Sequence, residues 1–199
     1  MGIEDDLNKD RNVIPQGKII GQDIKGGELR TWYPLHFAAG STLQQLKALE
    51  GDKNVYPLSP IVSDYIARLP NQGEERDVST CIASIDQLWP GYSPSAKDLA
   101  DPRLLETWSK QLQGHEFESL PQRAILQAVI QAGKRLPISR YGIHKNVYTL
   151  GSGSGSILYA YRDPENNKAT VSMRDNNTGF RWNTGDYVLL GVRRSLNKA

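Results

Sequence analysis

Apolar positions change period once along the chain, from helical spacing in the middle to alternation near the end. Between residues 41 and 133 they recur every three or four places. The sets are Leu43, Leu46 and Leu49; Ile61, Tyr65, Ile66 and Leu69; Ile82, Ile85 and Leu88; Leu104, Leu105, Trp108 and Leu112; and Ile125, Val129 and Ala132. Each set falls on one stripe of a helix. The punctuation agrees. Ser41 and Ser59-Pro60 are start signals, the proline standing where a missing N–H costs nothing, and Gly51 and Pro70 are stops. The spacing predicts further helices over 78–88, from Asp101-Pro102 to Gly114, and from a Ser119/Gln122 capping box to Gly133.

After Pro137 the period becomes two. Ile157, Tyr159 and Tyr161 alternate with Leu158, Ala160 and Arg162, and Ala169, Val171 and Met173 with Thr170, Ser172 and Arg174. Phe180 and Trp182 flank Arg181, and 187–192 predicts a further strand. The connections 163–167, 175–179 and 183–186 are rich in Asn, Asp and Gly, which tolerate the positive φ of hairpin loops. This predicts a C-terminal antiparallel meander of four or five strands, as a small barrel or curled sheet.

Upstream, residues 1–12 are charged and aperiodic, and predict a loose arm. Residues 13–37 hold short extended pieces, with Gly26-Gly27 placed to close a short N-terminal hairpin and Pro34 to end the run. The expected class is therefore α+β, a helical middle section followed by the antiparallel sheet. The boundary falls near 133–137. It divides a mainly helical part, 13–136, from a β part, 137–199, or two layers of a single domain.

Composition narrows the setting. The one cysteine, Cys81, permits no internal disulfide and no cysteine-built zinc site, so a reducing cytoplasmic setting is expected. No apolar run approaches the ~20 residues that span a bilayer, and the acidic start MGIEDDLNKD is unlike a signal peptide, so no membrane association is expected. Charge is uneven. Residues 134–199 hold 11 Lys and Arg against 4 Asp and Glu, a balance of +7; residues 1–133 hold 13 against 18, a balance of −5. Such asymmetry suits a surface that meets phosphates or an acidic protein surface, or head-to-tail contact between copies.

With Tyr159, Val171, Met173, Phe180 and Trp182 turned inward, alternation places Arg162, Arg174 and Arg181 on the opposite face beside Thr170 and Ser172. Three guanidiniums on one sheet face offer planar forks of donors matched to phosphate oxygens. Tyr141, Tyr148 and Tyr187 add rings for base stacking, and Arg193-Arg194 extend the basic character. The expected nucleic-acid contacts are thus Arg162, Arg174, Arg181, Tyr148, Arg193 and Arg194.

Other chemistry finds little footing. Gly151–Ser156 lacks both the sixth glycine of a dinucleotide loop and the Lys of a phosphate-binding loop, leaving a native hairpin loop or an inserted linker. His36, His115 and His144 have no ligand spacing, so no metal or cofactor is expected. His144, between Tyr141 and Tyr148, is the one candidate general acid or base for a metal-independent ribonuclease or toxin. The helix over 120–132 offers only Gln122, Arg123, Gln127 and Gln131 for reading bases. The sequence thus predicts a non-enzymatic protein binding nucleic acid or another polyanion through its C-terminal sheet. The alternatives are an assembly subunit of a phage particle or multiprotein complex, and a small ribonuclease.

Overall fold

The computed structural model describes residues 33–37, 39–40, 42–71, 73–85, 93, 116–136, 138, 145–149, 155–176, 181–183 and 185–193. Among them, strands β1 (Tyr33–Phe37), β2 (Arg76–Ser84), β3 (Glu116–Glu118), β4 (Val147–Thr149), β5 (Gly155–Arg162), β6 (Ala169–Asn176) and β7 (Tyr187–Arg193) form one sheet. Helices α1 (Thr42–Gly51), α2 (Pro60–Ala67) and α3 (Arg123–Ala132) complete an α+β fold. The arm at 1–12, the hairpin around Gly26-Gly27 and the helix over 101–113 lie outside the described residues.

The sheet is curled and mixed, with order β1-β2-β7-β4-β5-β6 and β3 lying on the β7 edge beyond β4. The purely antiparallel meander is therefore corrected. Strand β7 does not follow β6 in space; it inserts between β2 and β4, and its pairing with β4 is parallel. The reason is in its composition. Val188, Leu189 and Leu190 are all buried, so β7 is covered on both faces, and a strand covered twice belongs in the middle of a sheet. The pairing of β2 with β7 also joins strands from both sides of the composition change at 133–137.

The helix expected over 78–88 is a strand over most of its length, β2. Residues 76–84 carry Val78, Thr80 and Ile82 in alternation, and β-branched residues fit a pleated surface. The three-residue spacing of Ile82 and Ile85 was coincidental, and cross-strand pairing to β7 outweighs it. The strand also runs through Pro34 instead of ending there. Among the described strands β1 lies at the sheet edge, where a proline is tolerated because one side of the backbone has no described strand to receive an N–H.

Helices α1 and α2 form where spacing and punctuation place them, and α3 where spacing and its Gly133 stop place it, though it starts without the expected capping box. Their inward faces need adjustment. Thr42, Leu46 and Leu49 are buried on α1, whereas Leu43 is 50% exposed. On α2 Val62 and Ile66 are buried, and Ile61 is 67% exposed. The core lies between the helices and one face of the sheet. Leu35 and Phe37 of β1, Val78 of β2, Leu158 and Ala160 of β5, Val171 of β6 and Leu189 of β7 meet α3 residues such as Ile125, Leu126 and Val129.

Glutamines of α3 close the edges of this layer. The capping box does not form. Gln122 itself is the N-cap, in helical geometry, and Ser119 gives it no side-chain cap. Its amide instead works as a substitute strand against β5, accepting from Leu158 N at 2.8 Å and donating to the Ser156 carbonyl at 3.1 Å. Gln131, near the other end, accepts from His36 N at 3.1 Å and donates to the His36 carbonyl at 2.9 Å. Gln127 accepts from Gln45 on α1, and Arg123 is buried, its guanidinium 3.5 Å from the Pro70 carbonyl. These four side chains hold the fold together rather than waiting to read bases. The far edge is closed by residues 54–56, where Ala169 N donates to the Asn54 carbonyl and Tyr56 N to the Ala169 carbonyl.

Candidate nucleic-acid interface

The hairpin between β5 and β6 decides which side chains share a face. Asp163 N donates to the Lys168 carbonyl at 2.9 Å, Asn167 sits at φ 58°, and the Asp163 carboxylate accepts from Glu165 N at 2.7 Å. Asparagine tolerates this left-handed conformation better than most residues. The closure pairs Arg162 with Ala169, Ala160 with Val171, Tyr159 with Ser172 and Ile157 with Arg174.

Directly paired residues in a sheet share a face. Leu158, Ala160 and Arg162 therefore go with Val171 and Met173 on the helix side. Tyr159 and Tyr161 go with Thr170, Ser172 and Arg174 on the other side. Each strand alternates as the sequence implies, but the relative phase differs by one residue. Arg174, Thr170 and Ser172 do share a face, as expected. Arg162 does not join them; it turns to the helix side and donates to the Lys134 carbonyl at 2.8 Å. Arg181 is exposed and donates to the Ser93 carbonyl at 2.9 Å. The three guanidiniums do not converge on one surface.

The face opposite the helices carries a row of aromatic rings. Trp182 and Tyr148 are fully buried, their centroids 3.8 Å apart with planes tilted by 57°. Tyr148 lies 5.3 Å from Tyr159, and Tyr159 stacks on Tyr161 at 6.2 Å with planes 18° apart. Arg174 stands over two of these rings, 5.3 Å from the Tyr159 centroid and 5.8 Å from that of Tyr148. A guanidinium is attracted to the negative face of such rings. Tyr159, Tyr161, Thr170, Ser172 and Arg174 are all half-buried, so the row grades from core to accessible surface along β5. Tyr56, 49% exposed, lies at the β6 edge. Burial pushes the Tyr161 phenol above its usual range, with smaller upward contributions from Tyr159, Asp163 and Tyr56.

Tyr148 was expected to offer its ring to bases. Buried under Trp182 and Arg174, it serves the core, and its phenol is pushed up chiefly by burial. Tyr187 is half-buried and packs against the core on the helix side, so it too presents no stacking surface there. Tyr159 and Tyr161 are the rings that sequence reasoning turned inward. The signal for them was present, as two tyrosines two residues apart opposite a Thr-x-Ser-x-Arg strand, but it needed the hairpin register to be read. Arg193 ends β7 opposite Glu116. Tyr141, His144, Arg194 and residues 151–154 lie outside the described residues, while Gly155 and Ser156 belong to β5.

At the base of the row, Asp186 is buried. Its Oδ1 accepts from the backbone N–H and Nδ2 of Asn146, each at 3.1 Å, and its Oδ2 accepts from Asn183 N at 3.2 Å. Burial raises its carboxyl above the usual range, opposed by those hydrogen bonds and by Arg174. The Asp186 carbonyl accepts from Ile85 N, so this residue ties β2, β4 and the turn before β7 together. The turn position was legible; the partnership with Asn146, forty residues away, was not.

Nucleophilic and metal chemistry gain no support among the described residues. Cys81 is buried on β2, and burial pushes its thiol up to about 12, where it carries no thiolate at neutral pH. No group of three His, Cys, Asp or Glu residues is placed to hold a metal among the described residues. Nor is any described helix long and apolar enough to cross a membrane. His36 is an exposed ion-pair residue, its Nδ1 2.7 Å from Asp77 Oδ1 and its Nε2 3.3 Å from Glu75 Oε1.

Compared with known protein families, curated proteins and solved structures, the chain matches none.

Proposed function

We propose that this chain is a non-enzymatic binding protein whose C-terminal strands contact nucleic acid or a similar polyanion. The observation that carries the reading is the charge split, +7 on residues 134–199 against −5 on the remainder. The β5–β6 face adds chemistry of the right kind. Hydroxyls of Thr170 and Ser172 and the guanidinium of Arg174 lie beside accessible tyrosine rings, and phosphate-rich ligands reward donors and positive charge. Scattering of the arginines lowers the local charge density that a single patch would have had. The attraction therefore comes from the whole C-terminal part rather than from one fork of three guanidiniums.

Salt dependence is the test. Affinity for DNA and RNA, measured by fluorescence anisotropy at rising salt, falls linearly on a double-logarithmic plot, because binding releases condensed counterions. Arg181→Ala, at an exposed position, lowers that slope by about one. Absence of binding at low salt overturns the reading. Salt-sensitive self-association in its place transfers the charge split to head-to-tail assembly of copies.

A further inference from the structure

We infer that the nucleic acid taken by the β5–β6 face is single-stranded, its bases stacking on the half-buried Tyr161, which Tyr159 backs, and on the exposed Tyr56 at the sheet edge. This rests on the polyanion reading above and adds to it a site and a strand form. Three observations carry it. Tyr159 and Tyr161 present rings in nearly parallel planes on one strand, and both keep accessible surface. Tyr56 is bonded through its backbone to Ala169, the first residue of β6, and is 49% exposed, so the ring is supplied from the adjoining segment. Thr170 and Ser172 stand directly opposite Tyr161 and Tyr159, so each ring has a hydroxyl beside it.

The chemistry selects among polyanions. A duplex keeps its base faces stacked on one another and offers only base edges in its grooves, which a helix or a protruding ribbon reads. A broad sheet face bearing rings enters neither groove, whereas an unpaired base brings a bare π-face that an accessible tyrosine accepts. A neutral sugar polymer also stacks on tyrosine, but it gains nothing from the +7 balance of residues 134–199. Arg174, held over Tyr159, places positive charge at the end of the row, where a phosphate backbone leaving the rings passes.

The full chain is titrated with a roughly 12-nucleotide oligo-thymidylate, the matching oligo-uridylate and a duplex of the same length. Variants Tyr56→Ala, Tyr161→Ala and Tyr161→Phe are run beside it. The expected result is at least ten-fold preference for either single strand over the duplex. Tyr56→Ala and Tyr161→Ala each lower single-strand affinity roughly ten-fold, the loss of one stacked base. The salt slope stays unchanged, and Tyr161→Phe keeps the affinity. Tyr56→Ala replaces an exposed side chain, so it reports on binding even where Tyr161→Ala loosens the fold. Equal binding of duplex, or indifference to both alanine variants, overturns the inference and leaves the polyanion reading standing. Failure of all three nucleic acids at low salt removes both, as does binding of a neutral oligosaccharide alone.

Discussion

The two faces of the sheet are built from the same strands and yet settle their polar groups in opposite ways. On the helix side, Leu158, Ala160, Val171 and Leu189 meet Ile125, Leu126 and Val129, and the exposed strand edges are closed by amide side chains from Gln122 and Gln131. On the other side, the rings of Trp182, Tyr148, Tyr159 and Tyr161 join buried Ile157, Val188 and Leu190, a guanidinium lies over two of the rings, and hydroxyls stand beside them. The first face is closed at its edges, where the backbone groups of Ser156, Leu158 and His36 bond to the amides of Gln122 and Gln131. On the second, Trp182 and Tyr148 are buried, while Tyr159 and Tyr161 keep accessible surface. A surface that carries polar groups beside half-open rings is suited to an outside partner, and a closed face is not.

The largest test of that contrast is at the buried end of the row. Trp182→Ala empties the space against Tyr148 and costs ~3–5 kcal/mol of stability, measured by denaturant unfolding. If the loss is far smaller, the far face lacks the packed base that orients its outer rings. The helix side is probed by Gln122→Ala. It leaves the Leu158 N–H without its amide acceptor and costs about 1–3 kcal/mol, with the Leu158 amide exchanging faster by NMR. A change confined to α3, with Leu158 protection unaltered, would break the view of Gln122 as a substitute strand.

The smallest expected effect lies on the rim, at His36. Asp77, through its hydrogen bond, then Glu75, hold the imidazolium above its ordinary value of 6.5 despite some opposing desolvation. A raised folded pKa stabilises below the unfolded value, and this contribution disappears as pH climbs through the folded one. The site is exposed, so the effect on stability is slight. NMR titration of His36 shows it directly, and Asp77→Asn brings the midpoint down toward 6.5. A midpoint unmoved by that change removes Asp77 as the cause.

Much of this was legible in the sequence, and the failures have specific causes. Helices α1, α2 and α3 were announced by spacing, proline and glycine, and β5 and β6 by alternation. Strand β2 was misread because Ile82 and Ile85 satisfy helical spacing while Val78, Thr80 and Ile82 satisfy strand spacing. Only the partner β7, a hundred residues later, decides between them. The central place of β7 was hinted at by its unbroken apolar run, but a run says nothing of parallel or antiparallel neighbours. The candidate face failed on a finer point. Alternation fixes sides within a strand, and only the loop closed by Asp163 and Lys168 fixes how two strands are phased. One residue of phase moved Arg162 away from Arg174 and brought Tyr159 and Tyr161 into its company.

Helix α3 holds one strand edge near each end, β5 through Gln122 and β1 through Gln131. Nine residues separate the two amides, a helical rise of about 13.5 Å. An apolar stripe alone would let the rod slip by a turn over a greasy sheet, because oil-like contact has no detents. Two bidentate amides at a set spacing forbid that slip. The rod thereby acts as a gauge block, setting how widely the first and fifth strands may splay and how tightly the sheet may roll.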